Sequence, residues 1–201
     1  MKLSKERIEL HIGFEQSGNK NKIIMTDFPI IKTNRLLLRQ FIKSDVENVY
    51  KGLSHSDVIK YYGISFDSLE ATEEQMNWFA DLVRNKTGIW WAICSSDNTT
   101  FYGAGGLNGL SKEHKKAEIG FWLLPDFWGQ GIMQEAFPLI CNFGFKKLNL
   151  HRIEGFVDTE NSNCIKSLKM LDFTYEGTMK ECEIKNGKYI SIDIYAKLNE
   201  K

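Results

Sequence analysis

Ala117-Glu-Ile-Gly-Phe-Trp-Leu-Leu-Pro-Asp-Phe-Trp-Gly-Gln-Gly-Ile-Met-Gln-Glu-Ala136 decides how this chain is read. Its first part, Ile119 to Leu124, is nearly all apolar and stops at Pro125, the pattern of a strand covered on both faces. Gly129 and Gly131 then bracket Gln130, and helix formers take over from Ile132. Glycines let the backbone turn with no Cβ in the way, and the first amides of a helix have no internal partner. This strand, loop and helix therefore suit an anion such as a diphosphate. A lone Gly-x-Gly is more often a plain flexible turn into a helix, so the surrounding residues must decide.

A dinucleotide-binding reading fails on those surroundings. The third glycine position holds Gln134, and no early strand-helix-strand unit precedes the loop. Bulk composition points to local binding: Lys plus Arg equal Asp plus Glu at 26 each, which predicts neither a nucleic-acid partner nor an acidic membrane surface. No apolar run is long enough to cross a bilayer, and the charged start Met1-Lys-Leu-Ser-Lys-Glu-Arg7 lacks a signal peptide's apolar segment, so a cytoplasmic protein is expected. Cys94, Cys141, Cys164 and Cys182 show no C-x-x-C spacing and the four histidines are scattered. Neither disulfide nor metal is expected, and the cysteines read as reduced, buried small hydrophobes.

The rest of the chain supplies elements around the central stretch. Ile8, Leu10, Ile12 and Phe14 alternate with polar residues, so residues 1–29 read as an extension with an extra strand, the alternatives being a dimer-swapped arm or a disordered tail. Residues 30–201 form the main domain. Ser44-Asp-Val-Glu47 and Thr72-Glu-Glu-Gln75 have the pattern of capping boxes, each predicting a helix start. Met76, Phe79, Leu82 and Val83 share one helical face. Gly88 to Cys94, Phe101 to Leu110 and Ala117 to Leu124 predict a three-stranded meander, with Gly103, Gly105 and Gly106 allowing a neighbour close approach. The helix opened at Ile132 should run to about Lys147, kinked by Pro138. His151 to Val157 predicts a strand and Asn161 to Leu171 a helix capped by Asn161 or Ser162. Asn186-Gly187 predicts a hairpin between the last two strands.

The central stretch resembles motif A of the GNAT acyltransferases, whose loop usually reads Gln/Arg-x-x-Gly-x-Gly/Ala and holds the coenzyme A pyrophosphate. Asp126-Phe-Trp-Gly129-Gln-Gly131 matches both glycines, with Asp126 in the Gln/Arg place. Together with Ala117-Glu-Ile-Gly-Phe121, Glu135-Ala136 and the opening Thr33-Asn-Arg-Leu-Leu-Leu-Arg39, it is similar to the RimJ/RimL branch, the ribosomal-protein N-terminal acetyltransferases. Downstream, Asn161 and Leu168 match the family's next unit, Cys164 stands in a serine place, and Asp172-Phe173 replaces Gly-Phe. The resemblance spans about Ile31 to Leu198. It implies an α+β GNAT fold: a mixed sheet of about seven strands, splayed at the coenzyme A site and flanked by helices on both faces.

The same resemblance implies acetyl-coenzyme A as co-substrate, with no metal. Its diphosphate would meet Gly129, Gln130, Gly131, Ile132 and Met133, its arm would run along Leu123 and Leu124, and Asn161 and Lys169 would add contacts, Lys166 being a second lysine on that helix. Glu118 is implied as the base that takes the proton of an amine, the alternative being a strand-edge carboxylate that orders substrate. Cys164 is implied as the acid for the departing thiolate, its ordinary pKa of about 8.5 being suitable, with buried packing as the alternative. Tyr175 and Tyr189 are fallback acids. Tyr61, Tyr62 and Trp78 either pack or border the acceptor. The acceptor implied is a peptide N-terminal α-amine, the alternatives being a small polycationic amine drawn by Glu70, Glu73, Glu74 and Asp81, or a coenzyme A-binding module without catalysis. A homodimer is the family's default.

Overall fold

The computed structural model describes residues 9–11 and 28–199. One nine-stranded sheet has the order β1-β2-β3-β4-β5-β6-β7-β9-β8. The strands are β1 (Glu9–His11), β2 (Ile30–Lys32), β3 (Leu36–Arg39), β4 (Ile89–Ser95), β5 (Phe101–Ser111), β6 (Lys116–Leu123), β7 (Arg152–Asp158), β8 (Thr174–Lys185) and β9 (Lys188–Leu198). The helices are α1 (Val46–Leu53), α2 (Ser56–Ile59), α3 (Leu69–Asn85), α4 (Ile132–Lys146) and α5 (Ser162–Met170). All neighbouring strands are antiparallel except β6 and β7.

More strands exist than the sequence suggests because the opening stretch folds back on itself. The Thr33 amide donates to the Leu36 carbonyl at 2.8 Å, and the Thr33 hydroxyl accepts from the Leu36 amide at 2.9 Å, so Thr33 to Arg35 are a turn between β2 and β3. In the extension, the backbone of Glu9–His11 pairs with Ile30–Lys32. Ile8, Ile12 and Phe14 lie outside the described residues.

Period-two alternation on β4 divides two cores. Ile89, Trp91 and Ile93 join Phe137 and Ile140 of α4 and Leu168 of α5 on one face. Trp90, Ala92 and Cys94 join Val49 and Leu53 of α1, Val58 of α2 and Phe79 and Leu82 of α3 on the other. Helix α4 is continuous through Pro138. An interior proline costs ~3 kcal/mol, whereas fully burying a side chain such as Phe137 or Ile140 contributes roughly 1.5–3 kcal/mol apiece, so packing on the sheet outweighs the lost hydrogen bond.

Two caps differ from expectation. Helix α3 starts three residues earlier than Thr72, at Leu69, where the Ser68 hydroxyl accepts from the Ala71 amide at 3.1 Å. Thr72 and Gln75 are buried within the helix. Before α1, Ser44 makes no cap: a 3-10 turn over Lys43–Asp45 leads into the helix, and the Asp45 carboxylate accepts from the Ile42 amide at 2.8 Å and pairs with Arg39 at 2.7 Å. Elsewhere the local readings match. Asn161 caps α5, Asn186 and Gly187 carry the positive φ of a two-residue hairpin, and Asp172 takes the left-handed conformation (φ 60) of the glycine it replaces. Cys94 and Cys141 are buried, but Cys182 is exposed on β8, whose outer edge faces solvent.

Candidate active site

The parallel pairing of β6 and β7 covers only Lys116 to Glu118 against Arg152 to Glu154. Beyond that point β6 follows β5 to Leu123 and β7 follows β9 to Asp158. The sheet is therefore forked, and Glu118 is the last residue of β6 before the fork opens. Backbone groups along the inner edges of a fork lack strand partners, so an extended arm carrying amides can pair with them.

A cleft of about 790 Å³ occupies the fork. One wall is the β6 end and the glycine loop, the second is α5, and the third is α2 with Tyr61 and Tyr62. The loop closes by a 3-10 turn over Pro125–Phe127, and the Trp128 indole donates to the Leu123 carbonyl at 2.9 Å. Gly129 (φ 74) and Gly131 (φ 76) are left-handed, a conformation that costs other residues strain. No side chain caps α4 at Gly131, so its first amides remain available to an anion. A Cβ at Gly129 would meet nothing within 4 Å, so the loop is not closed by protein atoms. These features fit a diphosphate. Arg35, on the β2–β3 turn, braces the loop from behind: it donates to the Gln130 carbonyl at 3.1 Å and pairs with Glu135 at 3.4 Å.

Of the residues singled out from sequence, Leu123, Gly129, Gly131, Ile132, Met133, Asn161 and Cys164 line this cleft. Leu124 does not: it is buried, and its amide turns away to the Tyr102 carbonyl at 2.9 Å. Gln130 is also off the wall, its side-chain amide donating back to the Asp126 carbonyl at 2.8 Å. Lys169 borders a shallow depression on the outer side of α5, whereas Lys166 reaches the cleft. The Asn161 oxygen accepts from the Cys164 amide at 3.1 Å, which leaves the side-chain NH2 free of the cap. Burial pushes the Cys164 thiol up to about 12, so its surroundings do not provide the pKa near 8.5 expected of the free side chain. Tyr175 and Tyr189 are exposed on the β8–β9 hairpin and are not in the wall.

Glu118 is half-buried on the face of the sheet that carries α1–α3. Its carboxyl is raised above the ordinary value, chiefly by burial; the Asn108 side chain opposes this by hydrogen bonding, while Glu154 and Glu183 add to it. Glu154, directly across the parallel pair, is matched by Lys116 at 3.0 Å and Arg152 at 2.7 Å. Glu118 has no such cation among the described residues. Glu118 itself is not in the cleft wall; Tyr62 is, its hydroxyl pushed upward by burial and by the Glu118 charge. The Lys185 ammonium donates to the carbonyls of Ile59 (3.1 Å) and Tyr62 (2.9 Å), tying the hairpin tip to this wall. Sequence gave these aromatics two readings, packing or acceptor. Tyr61 and Tyr62 line the cleft, whereas Trp78 packs on Phe79 and Trp90. The roles of Lys185 and Asn108 left no local signal, because their partners are distant in sequence.

Substituting Gly131 tests the loop. Gly131→Val places a β-branched residue at φ 76, where strain of about 1–3 kcal/mol is expected, so acetyl-coenzyme A should bind roughly tenfold or more weakly by calorimetry with the fold intact.

The family model described as "Acetyltransferase (GNAT) domain" matches residues 35–174. The chain is 32% identical over 170 residues to the uncharacterized N-acetyltransferase YoaA of Bacillus subtilis, covering 84% of this chain and 96% of that protein. Among solved structures, RimL, a ribosomal L7/L12 alpha-N-protein acetyltransferase in complex with coenzyme A, superimposes with a TM-score of 0.74 at 23% identity, covering 83% of this chain and 95% of RimL. Spermidine N-acetyltransferase from Vibrio cholerae, in complex with coenzyme A and spermine, also gives 0.74 at 20% identity, covering 83% and 96%. The likeness therefore extends over several branches and does not single out RimJ/RimL.

Proposed function

Since this chain belongs to the GNAT acetyltransferase family, and is thus an acetyl-coenzyme-A-dependent enzyme acting on an amine, we propose that its acceptor is the α-amine of a peptide or protein N-terminus and that Glu118 is its base. The observation that carries this reading is the position of Glu118: an ion-unpaired carboxylate at the apex of the forked sheet, close enough for its charge to act on Tyr62 of the cleft wall.

Acetyl-coenzyme A supplies an acetyl group as a thioester, which only an unprotonated amine can attack. Freeing an α-amine at pH 7 costs roughly 1 pH unit, ~1.4 kcal/mol, against roughly 3.4 units, ~4.6 kcal/mol, for a lysine-like amine. A carboxylate raised by burial is matched to the first of these tasks. The amides opening α4 and the turn at Gly129 and Gly131 hold the diphosphate, and the free NH2 of Asn161 bonds the arm. Cys164, with its raised pKa, steadies the departing sulfur as a hydrogen-bond donor. Cleft charge supports a peptide: Asp57 and Glu160 are balanced by Lys60 and Lys166, while Glu70, Glu73, Glu74 and Asp81 are all outside the wall. A polyamine is the second reading, favoured by the proximity of Glu154 and Glu183 to Glu118.

The test is coenzyme A release with peptides beginning in Ser or Ala beside a panel of polyamines and aminoglycosides. Turnover of peptides, lost when their α-amine is blocked, is expected. Preference for the polyamines would overturn the peptide reading.

A further inference from the structure

The registers of β4, β5 and β6 build an unusual support beside Glu118. Gly106 pairs with Trp90 on β4 and with Gly120 on β6, and two residues along, on the same face, Asn108 pairs directly with Glu118. The two facing glycines form a bare floor, and the Trp90 indole lies across it. A Cβ at Gly106 would stand 2.4 Å from the Trp90 Cγ, and one at Gly120 would stand 2.7 Å from its Cζ2. No side chain larger than hydrogen can occupy either site while the ring keeps this position. From the floor the indole N–H reaches across to donate to the Asn108 side-chain oxygen at 3.3 Å.

That contact determines which end of the amide faces Glu118. An indole N–H only donates, so it selects the amide oxygen and leaves the NH2 group for the neighbouring carboxylate. Without it, the two ends of the amide are nearly isosteric and the oxygen could turn toward Glu118, opposing its charge. The ring itself is held by Trp78 at 5.6 Å and Phe79 at 5.7 Å between ring centroids.

We propose that Asn108 is a positioning residue for Glu118, oriented by the Trp90 indole over the Gly106–Gly120 floor, so that an amide NH2 keeps the base aimed and ionised while it is partly withdrawn from water. The inference rests on the reading of Glu118 as base. The other groups facing Glu118 are Glu154 on β7 with its cations Lys116 and Arg152, Glu183 on β8, and Tyr62 beyond α2. The carboxylates oppose ionisation of Glu118 and the cations are occupied by Glu154. Asn108 is therefore the neutral donor on which the ionised state depends.

The experiment follows the Glu118 carboxyl directly, by its carbon NMR signal, assigned through its loss in Glu118→Gln, in native protein and in Asn108→Ala, Asn108→Asp and Trp90→Phe. Losing one hydrogen bond to a charged group should move the titration upward by about one pH unit in Asn108→Ala. Asn108→Asp should move it further and Trp90→Phe, which keeps a ring on the glycine floor, part of the way. With a Ser-initiated peptide, the acid limb of kcat/KM should move in step with the carboxyl titration, and the high-pH plateau should fall as well because the base is less well aimed. A role in packing alone would lower stability or the plateau without displacing the limb. An unmoved Glu118 titration in folded Trp90→Phe and Asn108→Ala overturns the inference. Native turnover in Glu118→Gln would instead sink the base assignment, and the carboxyl titration would still decide the Asn108 contact.

Discussion

Glu118→Gln is expected to reduce kcat/KM by roughly 10²–10⁴-fold, the usual span for removing a positioned general base, with acetyl-coenzyme A affinity unchanged. The substitution keeps the shape and a hydrogen-bonding side chain opposite Asn108, so the loss isolates the charge. The pH dependence follows from the direction of the shift. Glu118 acts as a base only when ionised, and burial raises its pKa, so native activity should fall as pH drops through that raised value. In Glu118→Gln this limb should vanish. Stability should move the opposite way. A carboxyl whose folded pKa lies above its unfolded value favours folding at low pH, and this contribution is lost as pH rises through the folded pKa. At neutral pH the ionised, half-buried Glu118 therefore costs folding free energy. Glu118→Gln should raise Tm at pH 7 and bring little gain near pH 4. A variant that is less stable and less active at every pH would show Glu118 to be a structural carboxylate.

Gly106→Ala should be among the most damaging single substitutions in the chain. The added methyl would stand 2.4 Å from the Ile89 carbonyl oxygen as well as from Trp90, and neither the β4 backbone nor an indole packed against Trp78 and Phe79 can give way cheaply. Overpacking of this kind costs about 3 kcal/mol or more when backbone must shift. Chemical denaturation should show that loss, and the remaining folded protein should have weakened turnover because the Trp90–Asn108 contact is displaced. By contrast Gly105→Ala meets first a flexible Ile140 methyl at 3.1 Å and should be far milder. Equal effects at the two positions would show that the sheet accommodates a methyl at Gly106 and that the floor is not tightly built.

Several parts of the molecule were legible because their causes are local. Asn186-Gly187 carries its turn in its own φ preferences, Asn161 caps the helix that begins one residue later, and Asp172 takes the backbone conformation of the glycine it replaces. The glycine loop opening α4 is of the same kind. Caps were misplaced where several candidates competed nearby. Ser68 rather than Thr72 starts α3, because Thr72 and Gln75 are turned into the core, and before α1 it is Asp45, also paired with Arg39, that bonds back to the Ile42 amide across a 3-10 turn.

By itself the sequence determined the order and type of the main elements, the glycine loop that opens α4 and the candidacy of Glu118 and Asn161. Propensity, periodicity and turn chemistry act over a few residues and are written in consecutive positions. Only the tertiary structure decided the rest. The fork opens beyond Glu118 because β6 and β7 keep different partners, β5 and β9, and no residue in either strand announces that choice. Burial, set by the assembled sheet and helices, pushes the Cys164 thiol up to about 12 and raises the Glu118 carboxyl above its ordinary value. The Trp90, Asn108 and Glu118 alignment needs three strands in one register, and a register is a property of the assembled sheet.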